Sequence, residues 1–179
     1  MKFAVQALLG LSLAVTGHVF AANAVPAGQA AAPTPAHVKA VQDLLGAMQV
    51  ENVLRGVASR SRYQSEAQRQ AVFANLAKIP PAEIHQRLAP QLVHVISADT
   101  ATEMTRFYST PYGKKVIYGK YNSRGGMLMP GMAAAVPPEE QKERKRAAYV
   151  KASKELADAE PVIDHEAFML LQKIDKEKR

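Results

Sequence analysis

The sequence predicts an all-α protein, a single-domain bundle of about six helices that follows a cleaved signal peptide. Three observations carry this reading. Apolar residues recur three and four positions apart from Val38 to Ile174, which is the period of a helix buried on one side. No stretch of useful length alternates apolar and polar residues as a strand would. The proline pairs Pro80-Pro81 and Pro137-Pro138 divide the pattern into segments, because proline ends a helix but is well placed to begin one.

The first 24 residues have the layout of a secretory signal: Met1-Lys2, an apolar run from Phe3 to Val15, then small residues. Ala22-Asn23-Ala24 fits the small-x-small cleavage pattern, with Val19-Phe20-Ala21 competing. The apolar run is shorter than the roughly 20 residues needed to span a bilayer. The expected product is therefore periplasmic or secreted and not membrane-spanning. The chain has no cysteine, which leaves no disulfide and no thiol nucleophile, so stability must come from an apolar core. Residues 25–35 are rich in Pro and Ala and read as a linker with too little apolar surface to fold.

The domain expected at residues 36–135 opens with an amphipathic stretch read as one helix from Ala36 to Ser59. Its apolar face is Val38, Val41, Leu44, Leu45, Met48, Val53, Leu54 and Val57, and Gly46 and Gly56 interrupt it. Ser65 caps a helix to about Lys78, with Ala67, Ala71, Val72 and Leu76 inward. A helix from Ala82 to Ser97 follows, carrying Ile84, Leu88, Leu92, Val95 and Ile96, with a kink or break expected near Leu88 because Pro90 lies within it.

The centre of the chain is Thr100 to Tyr121, two helices with a tight joint. Thr100 and Glu103 have capping-box spacing. Met104, Phe107 and Tyr108 make one apolar face. Thr110 serves as N-cap and Pro111 as first residue of the second helix, and Gly113 in its first turn points to close helix–helix contact. Residues 136–179 are expected to add two charged helices, Glu139 to Asp158 and Pro161 to Lys176. The first has Ala147, Ala148, Val150 and Leu156 for a core face, the second Ile163, Ala167, Leu170, Leu171 and Ile174.

The net charge of +7 is uneven: 12 Lys/Arg face 6 Asp/Glu between Val25 and Pro138, against 10 and 10 beyond. Arg106, Lys114, Lys115, Lys120 and Arg124 come with no acid before Glu139. A basic face of this kind serves solubility or attracts anionic partners. For an exported chain those are lipid headgroups, acidic polymers or acidic proteins, not nucleic acid.

The exported N-terminus, the early helix L-L-G-A-M-Q-V-E-N-V-L and T-x-x-E-M-x-x-F-Y-S-T-P-Y-G-K-K resemble a family of exported bacterial all-helical domains of unknown function. That family is recognised by a Phe-Tyr-x-Ser-Pro-x-Gly-x-Lys signature. Glu103 lies in the matching stretch, and Phe107, Tyr108, Pro111, Gly113 and Lys115 match the signature itself. Thr110 replaces the usual Ser and keeps the hydroxyl. The resemblance covers Val38 to Met132 and implies location and architecture, not a reaction.

Candidate chemistry is sparse. His37, His85, His94 and His165 form no metal-binding pair at helical spacing, and no nucleophile elbow is present. No catalytic residue and no cofactor are expected. Met127, Met129 and Met132 have the soft thioether spacing of exported copper(I) binders, or fill irregular apolar space. Thr110, Lys114 and Lys115 at a helix start suit a phosphate or carboxylate, unless Thr110 satisfies the free N–H groups itself. Tyr108, Tyr112, Tyr118, Tyr121 and Phe107 crowd fifteen positions, as core or as the lining of a groove. The expectation is a non-enzymatic binding or interaction module, its working surface lying between the early helix and the Phe107–Tyr121 pair. The partner is an envelope protein or an anionic lipid surface. A periplasmic carrier of lipid or copper is the alternative.

Overall fold

The computed structural model describes residues 33–122 and 137–177. These form eight helices rather than about six, and no strand occurs among the described residues: α1 (Pro35–Ala47), α2 (Val50–Arg60), α3 (Glu66–Ala77), α4 (Pro81–Leu92), α5 (Ala98–Ser109), α6 (Pro111–Asn122), α7 (Pro138–Arg144) and α8 (Ala147–Glu177). The signal segment, most of the linker, Arg124 and the three methionines Met127, Met129 and Met132 lie outside the described residues.

The expected first helix is two. The break falls at neither Gly46 nor Gly56 but at Gln49, which takes the left-handed conformation (φ 54°). Its N–H returns to the Gly46 carbonyl at 3.0 Å, the arrangement that ends many helices and that usually selects glycine. Turning here buries both Met48 and Val50, which one straight helix would present to different sides.

α3 begins as expected: the Ser65 hydroxyl accepts the Gln68 N–H. Val72 and Leu76 are buried, whereas Ala67 and Ala71 are exposed. α4 runs past Leu88 unbroken and ends at Leu92, two residues beyond Pro90.

α5 starts one turn earlier than the Thr100–Glu103 spacing suggests. Ser97 is the N-cap, its hydroxyl accepting the Thr100 N–H at 3.3 Å. Thr100 is thereby buried in the first turn, and the capping-box reading of Glu103 is wrong. The reciprocal half of such a box is supplied from far along the chain: Glu155 of α8 accepts the Ser97 N–H at 2.6 Å. Burial works against the Glu155 charge, but the Ser97 N–H and hydroxyl and the Thr100 hydroxyl hold its carboxyl below the usual range.

The last two helices are also redrawn. The break comes at Lys145-Arg146, and α8 continues through Pro161 for 31 residues, about 46 Å at 1.5 Å per residue. Pro161 is exposed, as is Ala157 four residues before it. The carbonyl deprived of a helical partner therefore lies on the wet side. The buried stripe runs unbroken beneath it: Ala152, Leu156, Ala159, Ile163, Ala167, Leu170, Leu171 and Ile174. Ala147, Ala148 and Val150, expected inward, are exposed.

That stripe makes α8 the backing of the bundle. It packs on α5, α2, α4 and α3, while α1 packs on α4 and α5. Leu44, Leu45, Leu54, Leu88, Leu92, Ile96, Met104 and Ile174 belong to one buried cluster, so residues of the C-terminal segment share the core of the earlier helices. Buried leucine-sized side chains stabilise by roughly 1.5–3 kcal/mol each relative to exposure. At the α8 end, Arg87 holds Glu177 with two bonds of 2.8 and 3.0 Å.

Candidate functional site: a groove beside the α5–α6 joint

The joint is built as the residues dictate. Thr110 ends α5 in extended conformation (ψ 158°) and leads into Pro111, since proline excludes helical angles before it. The Thr110 hydroxyl accepts the Gly113 N–H at 2.9 Å and donates to the Phe107 carbonyl at 2.7 Å. Gly113 is buried directly against the end of α5: a Cβ there would lie 2.0 Å from the Phe107 oxygen. α6 thus folds back on α5 at backbone contact.

Phe107 is the hub beneath. It is 2% exposed, with ring centres of Tyr149, Tyr108 and Tyr112 at 4.8, 5.2 and 6.1 Å. Tyr108 is half-buried, and burial pushes its phenol up to about 12. Tyr121 donates to the Met48 carbonyl at 3.0 Å, tying α6 to the end of α1. Its phenol too is pushed up to about 12, by burial first and then by the negative charges of Glu51, Glu160 and Asp164.

Beside the joint lies a groove of about 510 Å³. Gly46, Ala47 and Gln49 come from the α1–α2 turn, Tyr108 and Ser109 from α5, and Lys114, Lys115 and Tyr118 from α6. The position is the one expected between the early helix and the Phe107–Tyr121 pair. Tyr108, Lys114, Lys115 and Tyr118 carry expectations of chemistry or packing from the sequence. Gly46, Ala47, Gln49 and Ser109 do not: the first three lie at the end of α1 and the turn at Gln49, and Ser109 is the last residue of α5.

Half of the basic run within the described residues is matched by acids. Arg106 bonds Glu103 and Glu143, and Lys120 pairs with Glu160. Lys114 and Lys115 are exposed, and neither has an ion-pair partner among the described residues. Of the proposed anion seat, Thr110 spends its hydroxyl on Gly113 and Phe107, while the two lysines stand beside the groove. Tyr118, 68% exposed, and Val116, 38% exposed, add apolar surface on the same helix.

The signature residues fall into two groups. Phe107, Thr110, Pro111 and Gly113 make the joint, whereas Tyr108 and Lys115 reach the groove. Glu103 does neither: its carboxylate lies between Arg106 (2.8 Å) and Arg146 (3.0 Å). His37 donates to the Ile96 carbonyl at 2.7 Å, and His85 faces Glu51 at 3.4 Å. His94 and His165 are exposed. No group of three or more His, Cys, Asp or Glu suited to a metal occurs among the described residues, and none of the described helices is long and apolar enough to cross a membrane. Comparison of the chain with protein-family models, curated proteins and solved structures returns no match.

Proposed function

We propose that the chain is an exported cell-envelope module that binds rather than catalyses, and that it uses the groove beside the α5–α6 joint to engage an anionic surface. The signal-like residues 1–24 and the linker at 25–35 support export to the periplasm or beyond. The resemblance of the Phe107–Lys115 signature to exported helical domains supports the same location. The carrying observation is the contrast in charge: Arg106 and Lys120 are matched by acids, while Lys114 and Lys115 stand unpaired among the described residues, next to exposed Tyr118. Lysines beside an aromatic ring suit the boundary of an anionic bilayer, where rings sit at headgroup level and each cation contributes about 1 kcal/mol.

The test is flotation with vesicles of phosphatidylglycerol and phosphatidylethanolamine at low and high salt. Lys114→Glu/Lys115→Glu is expected to lose binding with an unchanged melting temperature. Lys173→Glu/Lys176→Glu, which alters the exposed charge of α8 by the same amount, is expected to retain it. Equal loss in both pairs would reduce the effect to net charge, and no vesicle binding by the wild type would leave an envelope protein as the partner of this groove.

A further inference from the structure

A second surface, on the other partners of the joint, is already occupied by part of the chain. None of the seven residues of α7 is buried, yet the helix is firmly addressed. Glu143 accepts from Arg106 at 2.6 Å and from Arg146 at 3.0 Å. Glu140, one turn earlier, accepts from the Tyr112 hydroxyl at 2.7 Å. Carboxylates three residues apart share one helical face, and here that face meets α5, α6 and the start of α8 together.

The receiving side is built to take such a helix. Glu103 and Glu143 alternate with Arg106 and Arg146 in a closed ring of four charges, with Glu103–Arg106 at 2.8 Å and Glu103–Arg146 at 3.0 Å. Glu103 and Glu143 are only 14% and 15% exposed. Without Glu143, two guanidinium groups would share the single carboxylate of Glu103. The vacant position would then call for a second carboxylate, which bidentate guanidinium geometry recognises well. Tyr149 and Tyr112, whose rings both pack at an incline on Phe107, supply the aromatic side of the site. On α7 itself Glu139, Lys142 and Arg144 are exposed, Arg144 bonding Glu140 of the same helix, and Lys145 just beyond the helix is exposed too.

We propose that Arg106, Tyr112, Arg146 and Tyr149 form a docking site for an acidic helical segment of a protein partner, with carboxylates three residues apart, and that α7 fills this site in cis until such a segment displaces it. The inference is independent of the groove: it rests on the charge complementarity seen with α7 in place. A tethered occupant competes at an effective concentration in the millimolar range, so a partner helix binds detectably only when it outcompetes α7 or when α7 is disarmed.

The experiment disarms it. In Glu140→Gln/Glu143→Gln the site is emptied of its cis carboxylates. The probe is a labelled, otherwise neutral helix of about twenty residues carrying one E-E-x-x-E segment, with an all-Gln version as control. The variant is expected to bind the acidic probe at least about tenfold more tightly than the wild type at low salt, with loss at high salt. Adding Arg106→Gln is expected to abolish that binding. Equal affinity for wild type and variant, equal binding of the Gln control, or no binding by the folded variant would overturn the proposal. Vesicle binding that Arg106→Gln abolishes and Lys114→Glu/Lys115→Glu leaves intact, with no binding of the acidic helix, would overturn it as well. Should the variant not fold, hydrogen exchange on the wild type decides: excess acidic probe is expected to speed exchange in α7 and leave α1 unchanged, and unaltered α7 exchange refutes displacement.

Discussion

A Cβ at Gly113 would lie 2.0 Å from the carbonyl oxygen of Phe107 and 2.7 Å from the Tyr108 Cα. Both obstacles are backbone, so no rotamer change relieves them. Helix propensity favours Ala over Gly by about 1 kcal/mol in an exposed helix, but here the steric term dominates. Gly113→Ala is expected to destabilise by about 1–3 kcal/mol, and Gly113→Leu by more. Thermal denaturation checks it. A melting temperature equal to or above that of the wild type in the Ala variant would show that α6 can lift away from α5 at little cost.

The joint was legible because its causes are local: Thr110, Pro111 and Gly113 sit within four positions and each acts on its neighbours. The buried faces of α1, α2 and the second half of α8 were legible for the same reason, as helical periodicity is a local property. What escaped depended on distance or on an unusual residue. Thr100 and Glu103 imitate a capping box, but Ser97 wins because Glu155, on another helix, satisfies its N–H. Pro161 looks like a helix boundary, yet a proline on the exposed side leaves the buried stripe intact. Glu143 and Glu160, which pair with Arg106 and Lys120, lie 37 and 40 positions away. The α5 and α6 side of the groove, Tyr108, Lys114, Lys115 and Tyr118, was legible, but the α1 side was not, since nothing in the sequence marks Gln49 for a left-handed turn.

Gln49 therefore stores strain beside the groove. A left-handed residue with a side chain costs roughly 1–2 kcal/mol, which glycine avoids at the expense of a more flexible unfolded chain. Gln49→Gly is expected to be neutral or to stabilise by up to about 1 kcal/mol despite losing the bond from Asn52 to the Gln49 side chain, an exposed contact of 3.2 Å. Chemical denaturation compares the two. A clear loss of stability would mean that the Gln49 side chain contributes more than its backbone strain costs.

Glu155 offers a test of capping across the bundle. Removing it strips the Ser97 N–H of its partner and deprives the buried Thr100 hydroxyl of a bond. Glu155→Ala is expected to cost about 1–3 kcal/mol. Glu155→Gln retains an acceptor oxygen and is expected to recover part of that loss. Hydrogen exchange at the Ser97 and Thr100 amides distinguishes lost capping from general destabilisation, because only lost capping accelerates these amides ahead of the rest of α5. Exchange that rises uniformly along the chain would refute it.

The titrating groups place an edge on stability at each end of the pH scale. Glu103 and Glu143, both held below the ordinary 4.5 first by bonds from Arg106, and Glu140, held down by Tyr112 and then Arg144, are deprotonated more readily folded than unfolded. Their contribution is complete above about 4.5 and fades as pH falls through their lower folded values. The tyrosines act in the opposite direction. Tyr108, Tyr112 and Tyr121 rise from 10.0 to about 12, each mainly by burial. The folded chain therefore holds these protons more tightly, and the associated stability is complete below 10.0 and lost as pH rises from 10.0 towards 12. A melting-temperature profile is expected to show a plateau between the two edges, with phenolate absorbance at the alkaline edge appearing together with the loss of helix. Tyr108→Phe and Tyr121→Phe each remove one of these groups, so each is expected to weaken the alkaline decline while leaving the acid edge in place. Phenolate formation well below the unfolding transition, or an alkaline edge unchanged in both variants, would show that these hydroxyls are open to water in the folded protein.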